Sequence, residues 1–138
     1  LWVAQHYFGG RLTYIGFGGL GKQVRDILHI QDLCVLIQQQ IRDIDNINKC
    51  TFNVGGGVDN AVSLIELTRL CERATGNKLE IQSTTVNRPG DIPVYISNNS
   101  AVTGRLGWSP RIDVETLVVD YVAWIKENEK ALRPILCE

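Results

Sequence analysis

Thirteen glycines interrupt this chain, and they mark positions where turns and the ends of helices and strands are expected. Glycines stand at positions 9, 10, 16, 18, 19, 21, 55, 56, 57, 76, 90, 104 and 107. Glycine weakens helix and strand interiors and favours turns and helix ends. The runs between the glycines therefore predict an α/β fold built from short strands and about four to five helices.

The clearest predicted helix follows a capping box. Ser63 and Glu66 occupy its N-cap and third positions, apolar residues recur at helical spacing behind them, and Gly76 stands where a left-handed C-cap is expected. Further helices are predicted over residues 1–8, over roughly 99–106, and as one long last helix from Asp113. The buried stripe of that last helix is predicted to contain Leu117, Val118, Tyr121, Val122 and Ile125.

Strands are predicted where β-prone residues precede turn residues, over 11–15, 51–54, 79–81 and 94–96. Residues 24–41 fit either one long helix or a strand over 24–30 followed by a helix. We favour the strand and helix, because Asp32 supplies an N-terminal charge or cap. The buried face of the helix is then predicted to be Leu33, Leu36, Ile37 and Ile41.

Composition predicts a folded domain, because 44% of the 138 residues are hydrophobic and 21% are charged. We treat residues 1–138 as a single unit. The longest purely apolar run, residues 33–37, is far shorter than the roughly 20 residues that span a bilayer, which argues against a membrane protein. Fourteen basic and fifteen acidic residues without a basic cluster argue against nucleic-acid binding.

Cysteine and histidine positions argue against a metal site. The four cysteines form no Cys-x-x-Cys pair, and neither His6 nor His29 stands at zinc-ligand spacing from one. We expect reduced thiols in a cytoplasmic protein. The sequence contains no methionine and begins in what resembles the middle of an apolar helix, so we expect a piece of a longer chain.

Residues 16–21 match the dinucleotide pattern G-x-G-x-x-G, but the expected context is absent. No N-cap or clean helical face follows, and Gln23 replaces the hydroxyl residue that the related phosphate-binding loop requires. A glycine-rich surface loop is the better prediction. Nucleophilic catalysis is not indicated either, because His29 lies between two apolar residues and no Gly-x-Ser-x-Gly elbow occurs.

Two Arg/Asp elements point to a phosphate-bearing ligand. They are Arg25-Asp26 and Arg88-Pro89-Gly90-Asp91, each near glycine. A guanidinium binds phosphate oxygens with a planar fork, and a carboxylate accepts ribose hydroxyl protons, so the elements suit a nucleoside diphosphate. The alternative for each is a local salt bridge or a polar turn.

Five segments with a characteristic order and spacing suggest a family. They are LTYIGFG (12–18), KQVRDILHIQDL (22–33), FNVGGG (52–57), RPGD (88–91) and GWSP (107–110). Together they resemble the C-terminal substrate-binding lobe of extended short-chain dehydrogenase/reductases. Within that superfamily, the chain is most similar to NAD-dependent nucleotide-sugar epimerases of the CDP-paratose (CDP-tyvelose) 2-epimerase type.

The resemblance implies specific ligand contacts. Arg25 and Arg88 would bind the diphosphate of a CDP- or UDP-linked sugar, and Asp91 would hold the ribose. The segment against the nucleobase would be Thr13, Tyr14 and Ile15. His29 and Asp32 would be architectural, and Gly55 to Gly57 would form a turn.

The resemblance also implies a missing half. Family members bind NAD mainly on an N-terminal Rossmann domain and use a Tyr-x-x-x-Lys pair. Here the residues four positions after the tyrosines are Arg11, Gly18, Asn99 and Ile125. We therefore expect no catalytic residue, no cofactor and no activity in the chain alone. Two alternatives remain: a free-standing nucleotide-binding module using residues 16–22, and a structural domain that self-associates.

Overall fold

The computed structural model describes residues 1–136, whose regular elements are short. The helices are α1 (Trp2–Phe8), α2 (Ile30–Arg42), α3 (Ile44–Ile47), α4 (Leu64–Thr75), α5 (Ser100–Leu106), α6 (Val114–Glu127) and α7 (Glu129–Leu136). The strands are β1 (Thr13–Ile15), β2 (Val24–Asp26), β3 (Ala61–Ser63), β4 (Gln82–Thr84) and β5 (Val94–Tyr95). The fold is thus mixed α/β, as the sequence predicts, with seven helices in the described part of the chain.

The chain forms two compact units. The first contains residues 1–24, 63–94 and the described residues from 115 onward, and the second contains residues 25–62 and 95–114. No helix of the described residues is both long and apolar enough to cross a membrane.

In the first unit, β1 runs parallel to β4, with Thr13 opposite Gln82 and Ile15 opposite Thr84. Helix α1 packs against α4 and α7. Helix α4 begins beside the chain that follows β1, because the Leu64 N–H donates to the Gln23 carbonyl at 3.2 Å. The buried apolar side chains of this unit are Val3, Ala4, Leu12, Cys71, Val118 and Ile125.

In the second unit, the core is centred on Leu36, Val102 and Trp108. Partly buried side chains that pack on this core are Leu28, Phe52, Val54 and Leu106. Residues 25–26, 61–62 and 95 of this unit belong to β2, β3 and β5, which form a sheet in the order β3-β2-β5. A further hydrogen bond lies just outside these strands. The N–H of Ile27, which follows β2, donates to the carbonyl of Asn60, which precedes β3, at 3.0 Å.

Helix α4 confirms the prediction from its capping box. Ser63 accepts from the Glu66 N–H, Glu66 accepts from the Ser63 N–H, and Gly76 is the left-handed C-cap. A strand followed by a helix is also confirmed over residues 24–42, and one long helix is wrong. The helix begins earlier than predicted, because the His29 ring accepts from the Gln31 N–H and caps it in place of Asp32.

Asp32 instead has a long-range structural role. Its carboxylate accepts the N–H groups of Arg111 and Ile112, each at 3.0 Å, and its carbonyl accepts the Trp108 indole N–H at 3.1 Å. The side chain is therefore buried. This anchors the Trp108–Ile112 segment to the first turn of α2.

Four further predictions are wrong. No strand forms over residues 51–54, because no neighbouring strand in the described chain forms a ladder with them. The buried face of α2 is narrower than predicted, because Ile37 and Ile41 are 44% and 67% exposed. The last helix is interrupted at Asn128, whose carbonyl accepts the Ala131 N–H and starts α7. The strand predicted over 79–81 lies three residues later, as β4.

Candidate functional site

The carboxyl ends of β1 and β4 lie at the same edge, because the strands are parallel. Gly16 follows β1, and its N–H donates to the Thr84 carbonyl at 2.8 Å. Asn87 follows β4, and its side-chain oxygen accepts the Phe17 N–H at 2.7 Å. A Cβ on Gly16 would lie 2.8 Å from that oxygen, so the close approach needs glycine. Asn87 thus ties the chain before Arg88 to the end of the predicted nucleobase segment.

Arg88 and Asp91 lie at the two ends of one turn. The Asp91 N–H donates to the Arg88 carbonyl at 3.2 Å, and Gly90 between them has φ 77°. Pro89 at the second position and a positive φ at the third are typical of a type II turn. One Asp91 oxygen accepts the Ile92 N–H at 3.0 Å. The turn therefore holds a cationic and an anionic side chain close to the end of β1.

Tyr14 faces the helices of the first unit. Its ring stacks on Trp2 with centroids 5.7 Å apart, and its hydroxyl lies 2.8 Å from the Thr68 hydroxyl oxygen. Thr68 donates its one hydroxyl proton to the Leu64 carbonyl, so Tyr14 is the donor in this pair. Successive strand residues point to opposite faces, which places Thr13 and Ile15 on the face away from Tyr14. The three residues of the predicted nucleobase segment are thus divided between two faces.

The glycine-rich loop after β1 packs against protein. Ser83 donates its hydroxyl proton to the Gly19 carbonyl at 2.9 Å, and a Cβ on Gly19 would lie 2.1 Å from that hydroxyl oxygen. The loop leads into β2 and not into a helix. It therefore lacks the helix N-terminus that binds the pyrophosphate in dinucleotide sites.

Arg25 belongs to the second unit, on β2, and Asp26 follows it. The Asp26 carboxylate accepts the Gly57 N–H at 2.9 Å and hydrogen bonds from both the backbone and the hydroxyl of Ser97. The sequence analysis grouped Asp26 with Arg25 as one element of a phosphate-binding site, with a local salt bridge as the alternative. It did not predict that Asp26 accepts hydrogen bonds from Gly57 and Ser97.

A cavity of about 530 Å³ lies beside this cluster in the second unit. Its polar lining includes Asp59, Ser97, Asn98, Asn99 and Ser109. The Asn99 amide bonds both the N–H and the carbonyl of Gly55, at 3.0 and 2.9 Å. The glycine turn at 55–57 therefore forms one wall, held by side chains from the loop after β5.

Reactive groups elsewhere are few among residues 1–136. These residues contain no group of three or more metal-ligating side chains. Cys34 and Cys50 are exposed thiols, and Cys71 is a buried one, whereas Cys137 lies outside the described residues. His6, the other histidine considered as a base, is fully buried with its Nδ1 3.0 Å from the Trp2 carbonyl.

Comparison with known proteins gives sequence relatives but no family model, since none matches the chain. CDP-paratose 2-epimerase of Salmonella typhi is 31% identical over 106 residues, which are 77% of this chain and 31% of that protein. A UDP-glucose 4-epimerase of Cyamopsis tetragonoloba is 28% identical over 111 residues, which are 78% of this chain and 30% of that protein. The chain thus spans less than a third of the length of these relatives.

A solved structure agrees with this relationship. UDP-glucose 4-epimerase of Stenotrophomonas maltophila, crystallised with NAD and formylated UDP-arabinopyranose, is 26% identical and matches with a TM-score of 0.79. The match covers 94% of this chain and 39% of that one.

The chain is a homologue of the NAD-dependent extended short-chain dehydrogenase/reductases, and its fold is consistent with their C-terminal lobe. Its relatives within that class are the nucleotide-sugar epimerases. The resemblance inferred from the five sequence segments is confirmed.

Proposed function

We propose that this chain supplies the nucleoside-diphosphate contacts of a nucleotide-sugar epimerase. One observation carries the proposal: the Arg88–Asp91 turn is attached through Asn87 to the end of β1. A base-binding strand and a phosphate- and ribose-binding turn at one edge suit a nucleotide. The bound UDP-sugar in the Stenotrophomonas maltophila relative supports the ligand class.

Each side chain has a chemical role in this proposal. The Arg88 guanidinium in the first unit contacts a phosphate group, and the Asp91 carboxylate accepts ribose hydroxyl protons. Arg25 in the second unit is the other arginine proposed to contact a phosphate. The Arg88 side chain is exposed, and no hydrogen bond or ion pair to another described residue holds it. Thr13 and Ile15 provide the surface for the nucleobase, because Tyr14 is engaged with Trp2 and Thr68.

The residues of this chain do not fit NAD. The loop at 16–21 opens no helix, and no tyrosine here has a lysine four residues later. In the proposed enzyme, residues outside this chain bind the cofactor and carry the redox chemistry, and this chain binds and orients the substrate.

Titration calorimetry of the 138-residue chain with UDP, CDP and dTDP tests the proposal. We expect Arg88→Ala to weaken binding of the preferred diphosphate by about tenfold or more, since hydrogen bonds to charged groups contribute roughly 1.5–3 kcal/mol. Arg69→Ala removes an exposed arginine of α4 and serves as the matched control. Equal affinity of the Arg88→Ala variant and the wild type would contradict the proposal. Loss of binding with Lys22→Ala alone would instead favour a module based on the glycine-rich loop.

A structural domain that self-associates is a second candidate, favoured by α2 and the first residue of α3. Four isoleucines in this region are largely exposed: Ile30 (65%), Ile37 (44%), Ile41 (67%) and Ile44 (54%). Together with Cys34, these positions follow the alternating four- and three-residue spacing of a helix-pairing seam. Sedimentation velocity without ligand tests this candidate. Self-association requires that the mass of the wild-type chain rises with concentration and that the double variant Ile37→Gln/Ile41→Gln has the mass of a monomer.

A further inference from the structure

Asp26 links three segments of the second unit that are distant in sequence. It ends β2, and its carboxylate accepts the Gly57 N–H, the Ser97 N–H and the Ser97 hydroxyl. Gly57 and Ser97 are 31 and 71 residues away. One carboxylate therefore fixes β2 against the glycine turn and against the loop after β5.

The glycine turn lies very close to Asp26 and to the residue that follows it. A Cβ on Gly55 would lie 2.4 Å from the Asp26 oxygen and 2.2 Å from the Ser97 hydroxyl oxygen. A Cβ on Gly56 would lie 2.2 Å from the Ile27 carbonyl oxygen. The glycines thus allow the turn to approach β2 closely enough for its N–H to reach the carboxylate.

Hydrogen bonding keeps this carboxylate charged. Burial tends to raise the pKa of Asp26, but the hydrogen bonds from Gly57 and Ser97 outweigh it and hold the pKa below its ordinary value. The Asp26 carboxyl group is therefore an anion at neutral pH, and the hydrogen bonds from Gly57 and Ser97 stabilise this charged form.

We propose that Asp26 is a positioning residue that fixes Arg25 for an anionic ligand. Adjacent strand residues point to opposite faces, so anchoring Asp26 on one side sets the direction of the Arg25 side chain on the other. The hydrogen bonds from Gly57 and Ser97 hold the Asp26 carboxylate on that side of β2. This inference rests on the proposed binding of a nucleoside diphosphate by Arg25, and it assigns to Asp26 no contact with the ligand.

The test compares UDP with uridine, which lacks the phosphates that Arg25 would contact. Asp26→Asn keeps the side-chain volume but places an amide donor against N–H and hydroxyl donors. We expect it to weaken UDP binding about tenfold, the scale of one charge-assisted hydrogen bond, and to leave uridine binding unchanged. In the Arg25→Ala background, Asp26→Asn should cause no further loss of UDP affinity.

Glu66→Gln is the matched control, because Glu66 is also a carboxylate that accepts backbone and hydroxyl hydrogen bonds, but in the capping box of α4. It should change stability without changing the ratio of UDP to uridine affinity. If wild-type chain binds UDP no more tightly than uridine, both the proposed function and the role of Asp26 fail.

If UDP is favoured but Asp26→Asn lowers both affinities equally or neither, only the role of Asp26 is overturned. Should Asp26→Asn fail to fold, Ser97→Ala removes one donor and should lower the UDP to uridine ratio about threefold. An unchanged ratio in Ser97→Ala would then refute the inference.

Discussion

A single threonine hydroxyl organises the side of β1 that faces the helices. Thr68 accepts hydrogen bonds from the Trp2 indole and the Tyr14 hydroxyl and donates to the Leu64 carbonyl. The Thr68 hydroxyl has one proton and two lone pairs, and all three take part in hydrogen bonds. Tyr14 is consequently a packing residue in the first unit, and for this reason we propose only Thr13 and Ile15 for the nucleobase contact.

Tyr14→Phe tests this assignment at the residue scale. The variant removes one hydrogen bond while Thr68 keeps its other two partners, so we expect a loss of about 1 kcal/mol in the free energy of unfolding. UDP affinity should remain that of the wild type, whereas Ile15→Ala should lower it. Urea unfolding and calorimetry measure the two effects, and a loss of UDP affinity in Tyr14→Phe would place its hydroxyl in the ligand site.

The thiols should differ sharply in reactivity. Burial raises the pKa of the Cys71 thiol to about 12, so almost none of it is the reactive thiolate near neutral pH. Cys34 and Cys50 are exposed. We expect iodoacetamide at pH 8 to modify these two in the native chain and Cys71 only in urea, as peptide mass mapping would report. Rapid native labelling of Cys71 would contradict the packing of α4 against α1.

At the scale of single elements, α4 offers the sharpest stability test. Ser63→Ala removes the side-chain acceptor of its capping box, so we expect unfolding to cost about 1 kcal/mol less. Ser100→Ala is a suitable control, because the N-cap of α5 is Asn99 and Ser100 lies inside that helix. Equal urea midpoints for Ser63→Ala and the wild type would mean that the box contributes nothing to the stability of the chain.

Elements that are stabilised by contacts between residues close in sequence could be predicted from the sequence. The capping box of α4 and the left-handed Gly76 involve residues within one helix, and both were found. The bonds of Asp32 to Arg111 and Ile112 cross 79 and 80 positions. The helix pattern therefore predicted only an N-terminal charge or cap for Asp32, and the family resemblance implied an architectural role without naming these partners. The strand predicted over residues 51–54 is wrong for a related reason. A strand needs a neighbouring strand to pair with, and the periodicity of apolar residues does not show whether one is present.

For the candidate site, residue types and the resemblance pointed to Arg25, Arg88 and Asp91, and their contact with a ligand stays a prediction. The family itself was correctly inferred from the order and spacing of five sequence segments. The link through Asn87 and the anchoring of Asp26 depend on backbone groups brought together by folding. A backbone N–H has no signature in the sequence, so such contacts could not be predicted.

For the whole molecule, the perturbed carboxyl groups predict an acid-sensitive fold. Hydrogen bonds from Ser63 lower the pKa of Glu66, and a hydrogen bond from Arg133 lowers that of Glu129. Folded-state pKa values below the unfolded ones mean that the unfolded chain binds more protons, so stability falls as pH falls. The loss should begin near the ordinary pKa of 4.5 and continue through the lower folded values.

Urea midpoints measured between pH 3 and 7 check this behaviour. We expect a plateau near neutrality and a fall below pH 5, with a shallower fall in Glu66→Gln, which has no carboxyl group to protonate at that position. The same slope in the variant and the wild type would show that the Glu66 carboxylate does not contribute to the pH dependence.

The distance in sequence between Asp32 and its partners also affects how the chain is made. At about 5–20 residues per second, a ribosome needs roughly 4–16 seconds to add the 80 residues between Asp32 and Ile112. Trp108, at the centre of the second unit's core, emerges equally late. During that interval the nascent α2 segment has an acid without its final partners, and Leu36 is not yet covered by Val102 and Trp108. A chaperone that binds apolar segments would find this segment accessible, and translation speed would set how long it remains so.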